Sequence, residues 1–370
     1  MITRLSAPHR LLWIAVTVIG LTGPLLVAAG SIYLSARGTA LPIHLAAALA
    51  CLAPVAAVVV FVKRSRVTGA AALVANLVVA LFLTSYCSSP LPRPAPLDGP
   101  LPPASPPAGM ALLQLPTGVI HRTAAFGYRG GAFSDRRDFA MTAALVKHPR
   151  GDLLIDTGLG RSIETQLPLM PRSFRLVTDL ERGRPAADQL DAAGYDRTRL
   201  RGILLTHAHW DHASGLPDFP GVPVLVTDDE RRFIDRGGWI TAIARSATGA
   251  RYEVYDFEGG PYLGFPRSHD IFGDGSIVVV PAPGHTPGSV IAFVALPDGR
   301  RFAFVGDLAW QQEGITEREE RPWLVRRSAD HDPGQVRDNV LRMAAVAERF
   351  RQITLVPAHD VRAFAGLPRL

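Results

Sequence analysis

The sequence predicts an α/β domain preceded by three membrane-spanning helices. Three observations carry that reading. Three long apolar stretches lie within the first 87 residues, short apolar runs rich in β-formers alternate with helical ones from Met110 onward, and several of those runs end in a His or an Asp. The last pattern is densest at Thr206-His207-Ala208-His209-Trp210-Asp211-His212-Ala213-Ser214-Gly215. Three imidazoles and one carboxylate fall there within six residues, in a chain of 370 that has 11 His.

The N-terminal part comes first. Residues 11–34 carry no charge and one proline, Pro24, and are long enough to cross roughly 30 Å of hydrocarbon as a helix. Residues 41–62 and 67–86 follow, the last interrupted by Gly69, Asn76 and Thr84. Arg4 and Arg10 could serve a cleaved signal peptide, but the apolar run behind them is too long for one. Cations flank the spans unevenly. Arg4, Arg10, Lys63, Arg64 and Arg66 lie on one side, Arg37 and Arg93 on the other, so the N-terminus is expected in the cytoplasm and all that follows the third span outside it. Residues 1–87 thus read as an integral membrane anchor. Residues 88–109 hold nine prolines and read as an extended linker that keeps the next domain, residues 110–370, clear of the bilayer.

Charge excludes one class of partner. Removing the seven cations and one acid of residues 1–109 from totals of 39 and 33 leaves 32 of each, so the C-terminal domain is formally neutral and no nucleic-acid partner is expected. The two cysteines, Cys51 and Cys87, sit in the apolar N-terminal part and offer neither a disulfide framework nor a thiol nucleophile.

Within the domain, residues 143–147 and 152–156 flank a His-Pro-Arg-Gly turn and predict a hairpin. Residues 186–194 predict a short helix closed by Gly194, leading into a buried strand at 202–205. Residues 222–226 predict a further strand and 228–233 the start of a helix. Residues 235–270 fit no element; their aromatics (Trp239, Tyr252, Tyr255, Phe257, Tyr262, Phe265) suit a substrate-covering insertion. Strands are expected at 276–280, 301–305 and 353–357. A helix begins at Asp332-Pro333, with an apolar stripe at Val336, Val340, Met343 and Ala347.

The spacing of the His-rich stretch has a chemical meaning. In an extended turn residues i and i+2 project to one side, so His207 and His209 can chelate one ion, while Asp211 and His212 face a second. Neutral imidazole and carboxylate suit Zn²⁺, and a catalytic site leaves one coordination position to water. No cysteine lies nearby, which excludes a closed thiolate site.

His-x-His-x-Asp-His after an apolar strand resembles the signature of the metallo-β-lactamase superfamily, whose αββα sandwich holds one or two metals between two sheets. Asp156-Thr157-Gly158 resembles that superfamily's turn beneath the metals, which implies that Asp156 orients a metal-binding imidazole. Gly284-His285-Thr286-Pro287-Gly288, Gly306-Asp307 and Ala358-His359-Asp360 match its remaining ligand turns. The resemblance therefore implies His207, His209 and His285 on one ion, Asp211, His212 and His359 on the other, and Asp307 shared. It covers the chain from about Met110 to the end. The full ligand set is similar to that of glyoxalase II and the N-acyl homoserine lactone lactonases, whereas true metallo-β-lactamases typically lack the bridging Asp. One departure stands out: the lactonases carry a Tyr three residues beyond that Asp, and here the position is Trp310.

The resemblance implies a membrane-anchored, extracytoplasmic hydrolase with two divalent ions, zinc expected. A hydroxide bridging the ions attacks a small ester-type substrate, a lactone or a thioester, and Asp211 passes a proton to the leaving group. Trp310 and Trp323 are the candidate substrate contacts. The alternatives are a metal-dependent phosphodiesterase and an iron-dependent redox member of the fold.

Overall fold

The computed structural model describes residues 11, 14–20, 22–23, 53–61, 63 and 66–370. They divide into two compact units: Met1–Ser88 with Arg122–Arg137, and Ser89–His121 with Asp138–Leu370.

In the first unit a helix runs over Arg66–Thr84, beside helical segments at 14–20 and 53–61. Small residues let these segments approach: a Cβ on Gly20 would lie 3.2 Å from the Ala57 amide nitrogen. The Asn76 side-chain amide donates to Gly20 O at 3.2 Å and to Ala72 O at 2.8 Å. Large apolar side chains, among them Val18, Val55, Val74 and Leu77, point outward. Among the described residues no helix is long and apolar enough to cross a membrane, so the three predicted spans find no support there. Residues 24–34 of the first predicted span and 41–52 of the second lie outside the described residues.

The second unit is built on twelve strands: β1 (Ala111–Thr123), β2 (Arg136–Lys147), β3 (Asp152–Ile155), β4 (Leu180–Arg182), β5 (Leu200–Leu204), β6 (Pro223–Val226), β7 (Arg251–Val254), β8 (His269–Asp270), β9 (Ile277–Pro281), β10 (Val290–Ala295), β11 (Arg301–Gly306) and β12 (Ile353–Pro357). They form a seven-stranded sheet in the order β4-β1-β2-β3-β5-β6-β7 and a five-stranded sheet in the order β12-β11-β10-β9-β8.

The central strands β3, β5, β9, β10 and β11 are buried on both faces, which is why they read as continuous apolar runs instead of alternating ones, whereas the edge strands β4 and β7 are largely exposed. Leu153 and Ile155 face the core between the sheets, where they meet Val279, Phe302 and Phe304; Leu154 faces outward under Ala187 and Leu190 of the helix Ala186–Ala192. On the second sheet Ala303 and Val305 turn outward against Val336, Val340 and Met343 of the helix Pro333–Arg349. The stripe read from the sequence is thus the packing face, and Asp332 caps that helix by accepting from the Gly334 and Gln335 amides. Helix, sheet, sheet, helix is the predicted αββα order. Burying each such Leu, Ile or Phe contributes about 2 kcal/mol.

Two expectations need correction. The proline-rich segment is not a free tether: from Ser89 it belongs to the second unit. The Leu91 amide donates to Arg318 O at 2.8 Å, the Ser105 amide donates to Asp274 O at 2.8 Å, and Leu91, Leu97 and Leu101 pack against the outer core of the second sheet. Prolines at alternate positions keep the chain extended while the leucines between them find apolar surface. Residues 235–270 are also more regular than expected, since they contain the helix Ala242–Ser246 and strands β7 and β8.

Candidate metal centre

The topology brings the histidine and aspartate turns to one edge. β3, β5 and β6 are mutually parallel, as are β11 and β12, and β9 and β11 are both antiparallel to β10. Strands β3, β5, β9, β11 and β12 therefore discharge their C-terminal turns together. The Val290 amide donates to Thr206 O at 3.0 Å and ties one sheet to the other at that edge. Two glycines are required by close approach. Gly306 has φ 53° and its Cβ would meet the Thr206 side chain at 3.0 Å; Gly284 has φ 136° and its Cβ would lie 2.5 Å from the Val336 nitrogen. Each stands immediately before a candidate ligand.

After β5 the chain bends at Thr206, is extended at His209 and then turns into a short helix, Trp210–Ala213. That change of geometry splits the motif. His207 and His209 join His285 and Asp307 in one group, while Asp211 and His212 join His359 in a second, with the potential ligand atoms of each group within 4.8 Å of one another. Asp307 touches both groups: its Oδ2 lies 3.3 Å from His285 Nε2, and its Oδ1 lies 3.2 Å from His212 Nε2 and 3.1 Å from His359 Nε2. All seven residues are buried.

The far side of each ring is held. His212 Nδ1 donates to Asp156 Oδ2 at 2.9 Å, His285 Nδ1 to Asp330 Oδ1 at 2.8 Å and His359 Nδ1 to Ala140 O at 2.7 Å, so Nε2 of all three faces the centre. Asp156 sits in the left-handed region at φ 55°, which Asp tolerates better than most residues, and also accepts from the Thr206 amide and hydroxyl at 2.8 Å.

Electrostatics and hydrogen bonding both fit a cation. His207 Nε2, His212 Nε2 and Asp307 Oδ1 are buried with no hydrogen-bond partner, and each such group costs about 1–3 kcal/mol unless something satisfies it. Burial and the neighbouring His212 keep the His207 pKa well below its usual value; burial and His285 do the same for His209. Burial opposes a charge on His212, but Asp156 and Asp307 outweigh it and hold that pKa well above the ordinary one. Burial also raises Asp211.

The two substrate candidates part company. Trp310 is in the site: its indole N–H donates to Asp307 Oδ2 at 2.7 Å, and its ring meets Phe139 and His359 edge-on. Trp323 opens the helix Trp323–Ala329, is 45% exposed and has the Arg327 guanidinium over its ring.

Sequence reasoning missed several residues. Glu230 is buried and accepts from the Ala208 amide at 2.6 Å, the Thr286 hydroxyl at 2.6 Å and the Gly288 amide at 3.1 Å, which joins two ligand turns. Arg321 and Asp330 lie behind His285. Phe233 flanks His209, and Phe174 packs against both Trp210 and Trp239. None of these carries a motif; only the predicted start of a helix at Asp228 pointed near Glu230.

Residues 137–359 match the family model described as the metallo-beta-lactamase superfamily. A "probable metallo-hydrolase" of Mycobacterium tuberculosis is 30% identical over 240 residues, covering 58% of this chain and 73% of that protein. The N-acyl homoserine lactonase AttM of Agrobacterium fabrum is 25% identical over 244 residues, covering 61% and 83%. A solved N-acyl homoserine lactone hydrolase, with N-hexanoyl-L-homoserine at its catalytic metal centre, superposes with a TM-score of 0.53 at 18% identity over 68% of this chain and 93% of its own.

Proposed function

The chain belongs to the metallo-beta-lactamase superfamily of hydrolases, and on that footing we propose that it hydrolyses a small, partly apolar ester-type bond, a lactone first and a thioester next. The observation that carries this reading is the convergence of seven buried ligand residues in two groups with Asp307 between them. Two divalent ions held there, zinc expected, would supply a hydroxide nucleophile near neutral pH and polarise the substrate carbonyl.

The chain's own residues do the rest. Asp156, Asp330 and Ala140 O fix the ring faces that His212, His285 and His359 present. Asp211, a buried carboxylate 3.5 Å from His359 Nε2, would take up the proton of the attacking hydroxide and hand it to the leaving oxygen as the carbonyl carbon's bond to that oxygen breaks. Phe139 and Trp310 on one side, and Phe233 on the other, offer apolar surface that limits water around the reacting group. The indole N–H of Trp310 is committed to Asp307, so it does not take the part of the tyrosine hydroxyl found at this place in the lactonases.

We also propose that the N-terminal unit anchors the enzyme in a membrane, with the catalytic domain on the extracytoplasmic side. The apolar stretches, the five-to-two cation asymmetry and the outward-facing valines and leucines support it. A reporter active only outside the cytoplasm, fused at Gly109, is expected to be active; activity of a cytoplasmic reporter there instead would reverse the orientation. The chemistry is tested by profiling the metal-loaded full chain on lactones, thioesters, β-lactams and phosphodiesters. Lactone or thioester turnover that disappears in His209→Ala is the expected result, and turnover confined to phosphodiesters would contradict the choice of bond.

A further inference from the structure

We propose that Arg321, acting with Asp330, is a positioning residue for the metal centre: it fixes the ring of His285 and the turn that presents Asp307. The proposal rests on the metal-binding reading above. Both residues come from residues 311–330, the segment between β11 and the helix Pro333–Arg349, and both are buried.

The hydrogen bonds define the task. Asp330 Oδ1 accepts a hydrogen bond from His285 Nδ1–H at 2.8 Å and also meets Arg321 Nη2 at 3.1 Å. A guanidinium has no acceptor, so the 3.2 Å approach of Arg321 Nη2 to His285 Nδ1 sets two donors side by side on one carboxylate. Only one tautomer satisfies this arrangement: the proton sits on Nδ1 and the lone pair on Nε2, which faces Asp307 and His209. The same guanidinium donates to Leu308 O at 3.1 Å and to Asp307 O, and its plane covers the Trp310 ring at 4.7 Å. Trp310 in turn donates to Asp307 Oδ2. One side chain thus grips the backbone of the shared aspartate, the ring that orients its carboxylate, and the acceptor that sets a neighbouring histidine. A lysine could not do this, because its single nitrogen cannot reach separate acceptors in a fixed fork.

The test uses the cobalt(II)-loaded full chain and compares the wild type with Arg321→Met and with the double variant Arg321→Met/Asp330→Leu. The single variant leaves a lone buried carboxylate and risks misfolding; the double variant removes both charges together, a change that buried ion pairs often tolerate. The readouts are the rate at which a chelator strips cobalt and the visible spectrum of the bound ion. In the double variant, one ion is expected to leave roughly 10- to 100-fold faster, with shifted cobalt bands and unchanged overall secondary structure. Cobalt release and spectrum equal to the wild type in a folded double variant would overturn the assignment to Arg321 and Asp330. A double variant that does not fold would overturn it too, by making the pair a requirement of the fold. A wild-type chain that holds no cobalt would instead defeat the metal-binding reading itself.

Discussion

The indole N–H of Trp310 donates to Oδ2 of Asp307 at 2.7 Å, so an aromatic residue, where the similar lactonases have a tyrosine, holds the shared carboxylate of this site. A hydrogen bond to a charged group contributes about 1.5–3 kcal/mol. Trp310→Phe keeps an apolar ring and loses the donor, and it is expected to lower kcat/KM by about tenfold or more. Trp310→Tyr is expected to lose less on lactones, because it returns a hydroxyl near the reacting carbonyl. Steady-state kinetics on one lactone compares them; a Phe variant as active as the wild type would show that the indole N–H is dispensable.

Asp156 is the second test of the groups behind the ligands. Replacing it with Ala strands the Thr206 amide and hydroxyl and the His212 Nδ1–H, and places a Cβ-bearing residue without a polar side chain at φ 55°. A stability loss of about 3 kcal/mol or more is expected from breaking so many buried contacts. Chemical denaturation measures it. Asp156→Asn, which retains an acceptor and tolerates that backbone, is expected to lose less, and equal losses would assign the effect to charge alone.

Acid should empty both groups. Burial works against the charged rings of His212, His285 and His359, but Asp156 and Asp307 raise the first, Asp307 and Asp330 the second, and Asp307 and Asp211 the third. A histidine whose pKa is raised must shed a proton before it binds metal, and such rings stand in both groups, so metal held by either weakens as pH falls. Metal content after dialysis at decreasing pH is expected to fall without a plateau at about one ion per chain, on a two-ion reading. A stable plateau there, or full retention of metal in strong acid, would contradict the assignment.

Hydrogen exchange tests the docking of the proline-rich segment. The Leu91 and Ser105 amides donate to Arg318 O and Asp274 O, and they are expected to exchange far more slowly than free amides. Exchange at unprotected rates throughout residues 89–109 would restore the free linker.

Much of this site was legible because its chemistry is local. His207, His209, Asp211 and His212 fall within six residues, and His285, Asp307 and His359 each follow a strand whose apolar run is plain. The αββα order was implied by the same motifs. Strand β10 was missed because Val290–Ala295 has no flanking motif, and the docked segment because nine prolines describe an extended chain without saying what it lies on. Glu230, Arg321 and Asp330 were invisible for a different reason. Their contacts reach as far as 58 positions along the sequence, and they exist only once the sheets have brought their turns together.

The central claim, two ions working together in ester hydrolysis, is tested most directly by titrating the metal-free chain with zinc while lactone turnover is followed. The account predicts activity that climbs to a plateau at about two equivalents per chain and is absent in Asp307→Ala at the same zinc. A plateau at one equivalent, with Asp307→Ala as active as the wild type, would contradict it.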